Sequence, residues 1–288
     1  MTEPTKPLST EVPSSRIQAL VRLLGDDDPK IVAVVWENLE RIGVSCLPEV
    51  ERAALDAEDS RVRAQSGRFL KEWSRREVFR RWVEFCRRPT LDLEDGAFLI
   101  AESEYPGCDT SSYRKQIDGY ALVLKGRIAT ARNSDEAVRR ISGLLFHELG
   151  FKGNTKDYYN PENSYLNRVL DLRRGLPITL STVFLLTARR VGVPADGVGM
   201  PQHFLVKYRG ARHEVFVDAF HSGALMSIKD CVRRLAEAQI DFREDHLLAL
   251  TDREILARTL GNLLRVYHNA DDTRRCGRVT AMLKLLQK

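Results

Sequence analysis

The sequence predicts an α+β protein that is mostly helical and carries one small antiparallel sheet. The first observation is an apolar run at 177–191, charged only near its end, which is typical of a helix buried on nearly all sides. The second is a pair of strand-like runs, 200–208 and 213–220, separated by a short basic segment that predicts a hairpin. The third is a helical periodicity over most of the remaining chain. A buried helix beside a hairpin is therefore the expected centre of the fold.

The composition is that of a globular protein in a reducing compartment. Of the 288 residues, 43% are hydrophobic and 30% are charged, and no apolar run approaches the roughly 20 residues that cross a membrane. The five cysteines are odd in number, widely scattered and without any Cys-x-x-Cys spacing. We therefore expect no disulfide framework, no zinc site, no membrane partner and a cytoplasmic location.

Positive charge is distributed along helices rather than gathered in one patch. The net charge of +5 is modest, and six of the eight arginine doublets fall inside or at the end of helix-like segments. Solvated helix faces explain this pattern better than a nucleic-acid footprint does. Nucleic acid is thus not an expected partner.

The N-terminal part of the chain predicts a short tail followed by a helical repeat. Residues 1–14 lack the apolar segment of a secretory signal and are expected to be disordered. Within 15–76, the run that starts at Asp28 is echoed 31 residues later from Asp59, and each Asp is placed to cap an amphipathic helix. This spacing resembles HEAT repeats, whose helix pairs stack to bury a shared face. Two repeats are fewer than such arrays need, so the block is either a binding surface or a packing support.

Helical periodicity continues through the middle of the chain. The predicted helices are 77–85, 93–103, 112–125 and 135–149, the last one closed by Gly150. A polar loop rich in Gly, Asn and Asp follows at 151–159. This loop is expected to lead into a second, closely spaced pair of helices.

The first helix of that pair carries candidate binding residues. Asn160 and Pro161 supply an N-cap and a first helical residue, and the helix is expected to end at Gly175. Its early turns hold three polar side chains, Asn163, Ser164 and Asn167. They could hydrogen-bond a ligand, or they could serve only cap and turn chemistry.

The register of the hairpin follows from the choice of loop. If Gly210 and Ala211 form a two-residue turn, the numbers of paired residues add up to 421. This register joins opposite charges, aligns apolar layers and sets an imidazole beside a carboxylate at one end of the ribbon. The expected pairs are Lys207 with Glu214, Leu205 with Phe216, His203 with Asp218, Val206 with Val215 and Phe204 with Val217.

The last part of the chain predicts further helices. Ser227 opens one with a capping-box-like pattern, and Thr251 with Glu254 forms a clearer capping box for a longer one. A final helix follows the turn at 269–272, so 251–288 is expected to be a helical hairpin that resembles one tetratricopeptide unit. A single unit of this kind is more typical of a packed cap than of a peptide-binding array.

The order of these motifs resembles the transglutaminase-like fold, which has a papain-like core. In that fold a Cys opens the core helix, and Gly-Ile-Pro-Ala, His and Asp follow; here the helix is followed by Gly192-Val193-Pro194-Ala195, His203 and Asp218. Longer runs resemble the SirB1 family, which is also related to a domain of an F-box protein: 146–170, 173–181 and 197–208. The resemblance implies a transglutaminase-like domain over 77–250, in which His203 and Asp218 are two members of a catalytic triad.

One position departs from the family pattern. The nucleophilic Cys opens the core helix, where the helix dipole stabilises a thiolate. Counting back from Gly192 places that position at Pro177 or within one residue of it, and no cysteine lies between Cys108 and Cys231. The nearest hydroxyls are mid-helix and are expected to bond backbone carbonyls: Thr179, Ser181 and Thr182.

Two further features concern the chemistry around His203. Gln202 precedes it where relatives usually have Gly, and its amide could fill an oxyanion-like position or crowd the site. His147 and His221 have no second His at metal-binding helical spacing. No metal and no cofactor are therefore expected.

Two functions from different classes follow. The first is a non-catalytic, transglutaminase-like scaffold that binds another protein or a peptide around its degenerate dyad, through Asn163, Ser164, Asn167, Gln202, His203 and Asp218. The second is an acyl-transfer or amide-hydrolysing enzyme in which His203 and Asp218 act with an unidentified nucleophile, for which Cys108 is the exposed-loop candidate. Because the expected nucleophile is missing, we favour the scaffold.

Overall fold

A computed structural model describes residues 12–131, 133–209 and 214–287, and these form two compact units divided between Glu77 and Val78. Most of the predicted tail, residues 1–11, lies outside the described residues. The helices are α1 (Ser14–Arg22), α2 (Pro29–Ile42), α3 (Leu47–Asp56), α4 (Ser60–Cys86), α5 (Leu93–Glu104), α6 (Thr110–Ala129), α7 (Ser134–Ser142), α8 (Leu166–Leu172), α9 (Pro177–Arg190), α10 (Ile228–Glu237), α11 (Asp252–Asn269) and α12 (Thr273–Leu286). The strands are β1 (Lys152–Gly153), β2 (Arg174–Gly175), β3 (Asp196–Val198), β4 (Leu205–Arg209), β5 (Glu214–Asp218), β6 (Ala224–Met226) and β7 (Ala249–Leu250). The mostly helical α+β class is confirmed.

Short helical turns connect several of these elements. They are 3₁₀ turns at Leu23–Gly25, Gly43–Cys46, Pro161–Ser164 and Glu244–Leu247, and a π-helical segment at Gly143–Glu148 that continues α7. No helix among the described residues is both long and apolar enough to cross a lipid bilayer.

The first unit is a small helical block with its own apolar core. The side chain of Asp28 caps α2 by accepting the N–H of Lys30, and Asp59 accepts the N–H of Arg61 at the start of α4, so both predicted caps form. The core is made of Ile17, Val21, Leu24, Val35, Leu39, Cys46, Val50, Val62 and Phe69. The sequence prediction of separate helices before and after residue 77 is wrong, because α4 runs unbroken for 27 residues. Good helix formers at 75–77, with no Gly or Pro among them, explain this continuity.

Helix α9 is the centre of the second unit. Every residue from Pro177 to Ala188 is buried, which confirms the prediction of a helix buried on nearly all sides. The hydroxyls of Thr182 and Thr187 donate to the carbonyls four residues earlier, at 2.9 and 2.8 Å. The helix ends before Gly192, whose φ of +70° is the left-handed conformation that glycine adopts without strain.

A five-stranded antiparallel sheet packs against α9, in the order β6-β5-β4-β3-β7. Phe204, Val206 and Val217 face the core that contains α9, while Leu205 and Phe216 face a second core beneath α10. Each strand of the hairpin therefore alternates between two buried layers. This alternation positions the end of β5 and the turn before β4 beside the start of α9.

The predicted hairpin register is wrong by two positions. In the structure Val206 pairs with Val217, Lys207 with Phe216 and Arg209 with Glu214. The prediction assumed a two-residue turn at Gly210 and Ala211, whereas four residues, which lie outside the described residues, separate β4 from β5. A shift of two keeps every side chain on its predicted face because the side-chain period of a strand is two. Lys207 still reaches Glu214 diagonally, with 2.8 Å between Nζ and Oε1.

The predicted single helix from Asn160 to Gly175 is also wrong. Asn160 caps only a 3₁₀ turn, Tyr165 is extended, and α8 ends at Leu172, where it is followed by Arg173 with a φ of +54°. The carbonyl of Asn163 accepts the N–H of Leu176 at 3.1 Å, a role that a continuous helix would give to residue 167. The chain then forms β2, which pairs in parallel with β1 and leads directly into α9.

The C-terminal hairpin of α11 and α12 is packed into the core of the second unit. Thr251 and Glu254 form the predicted capping box of α11. The indole N–H of Trp82 donates to the carbonyl of Met282 at 3.0 Å. Arg189, at the end of α9, donates to both carboxylate oxygens of Asp252 at 2.5 and 2.8 Å. These contacts fix α11 beside α9, where it forms one wall of the site described next.

Candidate functional site

A cleft of ≈ 500 Å³ opens where the start of α9, the turn before β4, the loop after β1 and helix α11 meet. Its lining residues are Tyr158, Tyr159, Pro177, Ile178, Gln202, His203, Phe204, Arg258, Asn262 and Arg265. A groove of ≈ 630 Å³ in the first unit is larger, but its described lining residues include neither His nor Cys. The smaller cleft, whose wall contains His203, is therefore the candidate site.

His203 and Asp218 lie side by side at the base of this cleft. Nε2 of His203 is 2.9 Å from Oδ2 of Asp218, and the two residues are only 8% and 1% exposed. This contact places the buried imidazole directly against the carboxylate, at a distance typical of a charge-assisted hydrogen bond. Gln202, the residue before His203, has a φ of +60° in the left-handed region, and this conformation turns the chain sharply into the cleft.

Asp218 is the acceptor for a whole cluster of donors. Its Oδ2 accepts from Nδ1 of His221 at 2.8 Å and from Nη1 of Arg234 at 2.9 Å, while Oδ1 accepts the backbone N–H groups of Phe220 and His221. Burial alone would raise the pKa of Asp218, but the nearby His203 and His221 side chains outweigh it and hold the pKa well below its usual range. The carboxylate is therefore ionised in the folded protein at any pH near neutral.

Sequence reasoning considered His221 only as a metal ligand and did not single out Arg234, so it missed both as partners of Asp218. An Asp whose side chain accepts the N–H groups two and three residues later forms a turn, so the Asp218-x-x-His221 spacing was a usable signal. Arg234 gave no such signal, because it belongs to a helix whose packing against β5 is known only from the fold. Both residues contact the same carboxylate oxygen as His203 does.

Pro177 occupies the start of α9 and lines the same cleft as His203. No cysteine is among the described lining residues. Burial is the main reason that the thiol pKa is raised to about 11 for Cys86, Cys108 and Cys231, and it also raises the pKa of Cys46. A raised pKa is the opposite of what a nucleophilic cysteine requires.

The predicted binding residues divide into two groups. Gln202 lines the cleft, but Asn163, Ser164 and Asn167 are 1–3% exposed and lie beneath its surface. The amide of Asn163 donates to the carbonyls of Asp157 and Tyr158 at 2.7 and 3.1 Å and thereby holds the loop that carries the two tyrosines. Asn163 is a support for the cleft and not a residue of its wall.

The arrangement also brings together atoms that could hold a metal ion. One nitrogen each of His203 and His221 and one oxygen of Asp218 lie within 4.8 Å of one another. The sequence expectation of no metal considered only helical spacing, whereas a turn after β5 brings the second His into reach. Arg234 occupies the same carboxylate oxygen, and its positive charge opposes binding of a cation there.

Comparison with known proteins shows what this chain resembles. The family model described as the transglutaminase-like superfamily matches residues 111–261. A UPF0162 protein of Xylella fastidiosa (strain Temecula1) is 35% identical over 205 residues, which are 68% of this chain and 73% of the relative. F-box only protein 21 of the mouse is 35% identical over 137 residues, 43% of this chain and 21% of that protein. A UPF0162 protein of Vibrio cholerae is 26% identical over 118 residues, 40% of this chain and 43% of the relative. No solved structure matches the chain.

Proposed function

Because this chain belongs to the transglutaminase-like superfamily but has Pro177 at the start of its core helix, we propose that it is a non-catalytic member whose cleft binds another protein or a peptide. The observation that carries the proposal is the position of Pro177 in the wall that also contains His203. A proline has no side-chain nucleophile, and in this cleft it stands where a transglutaminase needs its thiol.

No described residue of the cleft wall supplies a thiol in its place. The hydroxyl of Thr182 donates to the carbonyl of Ile178 as predicted. The predicted bonds of Thr179 and Ser181 do not form: both hydroxyls are buried and have no hydrogen-bond partner among the described residues. None of these three hydroxyls is among the described lining residues. Cys108, the alternative nucleophile, is also absent from that wall, and burial together with Glu102 raises its pKa. The described wall of the cleft therefore offers no thiol and no serine or threonine hydroxyl for an acyl-enzyme.

The cleft has the features of a recognition surface. Tyr158 and Tyr159 are 39% and 61% exposed and meet edge to face, and aromatic side chains of this kind are enriched in protein interfaces. The α11–α12 hairpin, which we interpret as tetratricopeptide-like, supplies one wall. The helices at 15–76, which we interpret as HEAT-like, would provide a separate interaction surface in the first unit. The five free thiols support a cytoplasmic place of action.

The second candidate function is hydrolysis of an amide or ester by a water molecule. The His203–Asp218 pair favours it, because an imidazole oriented by a buried carboxylate can act as a general base. The two candidates differ in one observable respect: only the hydrolase turns over a bound peptide, whereas the binding module holds it unchanged.

Photo-crosslinking tests the binding function. We expect p-benzoylphenylalanine at position 159 to capture a discrete partner from a lysate of the source organism. The matched control carries the same group at Leu122, which is 71% exposed on α6 and lies outside the cleft. The captured protein, purified separately, should then bind the unmodified chain and should be recovered intact. Cleavage of the partner, or equal capture from both positions, would contradict the proposal.

A further inference from the structure

Two arginines on one face of α11 point their charge at the cleft without an acidic partner. Nη2 of Arg265 donates to the amide oxygen of Asn262 at 2.9 Å, and Nη2 of Arg258 makes only a long contact of 3.5 Å to the carbonyl of Met200. Within the described part of the chain neither forms an ion pair. Arg258 rests on Gly199, where an added Cβ would lie 2.8 Å from its Nη1.

The electrostatics of this pair differ from those of the other arginines in the unit. Burial and the charge of Arg265 lower the pKa of Arg258. Arg189 and Arg275 show the usual opposite shift, because hydrogen bonds to Asp252 and Glu104 raise their pKa. The arginines of the cleft thus repel each other, and an anion between them would relieve the repulsion.

The opposite wall also offers hydrogen-bond donors. The first N–H groups of α9, on Ile178 and Thr179, have no acceptor among the described residues, and no side chain caps this helix. The N-terminus of this 14-residue helix carries partial positive charge. His203 is 8% exposed and lines the cleft, and its Nε2 lies 2.9 Å from Oδ2 of Asp218. Among the described residues, the donors that this wall leaves free are therefore the backbone N–H groups at the start of α9.

We propose that the cleft binds a carboxylate group of a peptide, supplied either by an acidic side chain or by a free C-terminus. This inference rests on the proposed function and names the chemistry that the partner presents. Arg258 and Arg265 hold the carboxylate from one wall, the N-terminus of α9 attracts it from the other, and the two tyrosines contact the flanking peptide. A planar carboxylate suits the fixed fork of a guanidinium, which can donate two parallel hydrogen bonds.

The volume of the cleft agrees with this ligand. A space of ≈ 500 Å³ lies within the range of about 300–1,000 Å³ that is typical of ligand pockets. Its wall combines aromatic edges with amide groups, as at Asn262 and Gln202. The cleft therefore has enough volume for a short peptide segment.

The test is an NMR titration of the full chain, labelled with ¹⁵N at arginine. Three pentapeptides are added, two with both termini blocked and one with a free C-terminus. The first is acetyl-Gly-Gly-Glu-Gly-Gly-amide, the second replaces Glu by Gln, and the third is acetylated pentaglycine with a free C-terminus. We expect the Glu peptide, the free-acid peptide or both to shift the side-chain signals of Arg258 and Arg265, and the Gln peptide to bind about tenfold more weakly or worse. Comparison of the first and third peptides distinguishes a side chain from a C-terminus as the source.

Substitution of the two cleft arginines tests whether they are the residues that bind the carboxylate. Arg258→Gln and Arg265→Gln should each weaken carboxylate binding about tenfold, since a charge-assisted hydrogen bond is lost. Arg139→Gln removes the same charge from the exposed face of α7 and should leave the affinity within about twofold. The unchanged spectrum outside the cleft shows that each variant is folded.

Three results would overturn the inference: equal binding of the Gln peptide, undiminished binding to the double arginine variant, or no shift with any peptide at millimolar concentration. The peptides recovered from the same titration test the proposed non-catalytic function independently of the carboxylate preference. Conversion of the Gln peptide to the Glu peptide, or its cleavage, would show an enzyme, whatever the preference for carboxylates.

Discussion

A Pro177→Cys variant should gain a thiol that iodoacetamide alkylates at pH 6 about tenfold faster than an ordinary cysteine. The new side chain would stand at the first position of α9, in the cleft wall shared with His203. The helix dipole and the adjacent imidazole both favour the thiolate, so its pKa should fall below that of a free thiol. The rate at each pH, measured by mass spectrometry of the modified peptide, checks this expectation.

The double variant Pro177→Cys/His203→Ala provides the control. It keeps the helix dipole but removes the imidazole, so the alkylation rate at pH 6 should fall most of the way to that of an ordinary thiol. A Pro177→Ala variant should show no new modified peptide at all. If the single variant alkylates no faster than an unfolded cysteine, the start of α9 does not correspond to the nucleophile position of the superfamily.

Replacement of Asp218 by Asn should destabilise the second unit by about 3 kcal/mol. The carboxylate is 1% exposed and contacts His203, His221 and Arg234 through one oxygen. Asparagine keeps the size but removes the charge, and it leaves these nitrogen groups with a weaker acceptor. Chemical denaturation measures the loss. Asp241→Asn, which changes an exposed carboxylate, should stay within about 0.5 kcal/mol of the wild type.

The pH dependence of the free energy of unfolding provides an independent check that Asp218 is ionised in the folded chain. Because its pKa is lower in the folded chain than in the unfolded one, its contribution to the free energy of unfolding is present above about pH 4 and is lost as the pH falls further. The Asp218→Asn variant lacks this contribution at every pH. Its free energy of unfolding should therefore decline less steeply than that of the wild type below pH 4. If the two proteins lose stability in parallel over this range, Asp218 is not an ionised group with a lowered pKa.

The elements that follow from local chemistry were predictable from the sequence. The apolar stretch from Pro177, the caps at Asp28 and Asp59 and the capping box at Thr251 all form. Each depends on side chains a few residues apart, so no knowledge of the fold is needed. The same holds for the two faces of the hairpin, since alternation fixes them whatever the loop length.

The features that depend on distant contacts were not predictable. The register of the hairpin depended on the length of a loop, and the end of α8 depended on a bond from Leu176 to Asn163. The donors that surround Asp218 come from the next turn and from α10, and the arginines of the cleft come from α11. Only the packing of these elements brings them within hydrogen-bond distance of one another.

The buried asparagines illustrate a second limit. Asn163 and Asn167 looked available for a ligand, because polar residues on a helix are usually exposed. Instead they lie under the cleft, and Asn163 uses its amide to hold the loop that bears Tyr158. The sequence does not show the direction of a side chain. It therefore cannot tell a buried polar residue that holds a loop from an exposed one that contacts a ligand.

The most direct test of the central claim is the alkylation rate of each of the five native cysteines as a function of pH, in the wild type and in His203→Ala. We expect every native thiol to react as an ordinary or buried cysteine, with rates that fall steeply below neutral pH and do not depend on His203. A native cysteine that reacts fast at pH 6, and slows when His203 is replaced, would contradict the account. Such a result would show that the dyad has a nucleophile and that the protein is an enzyme.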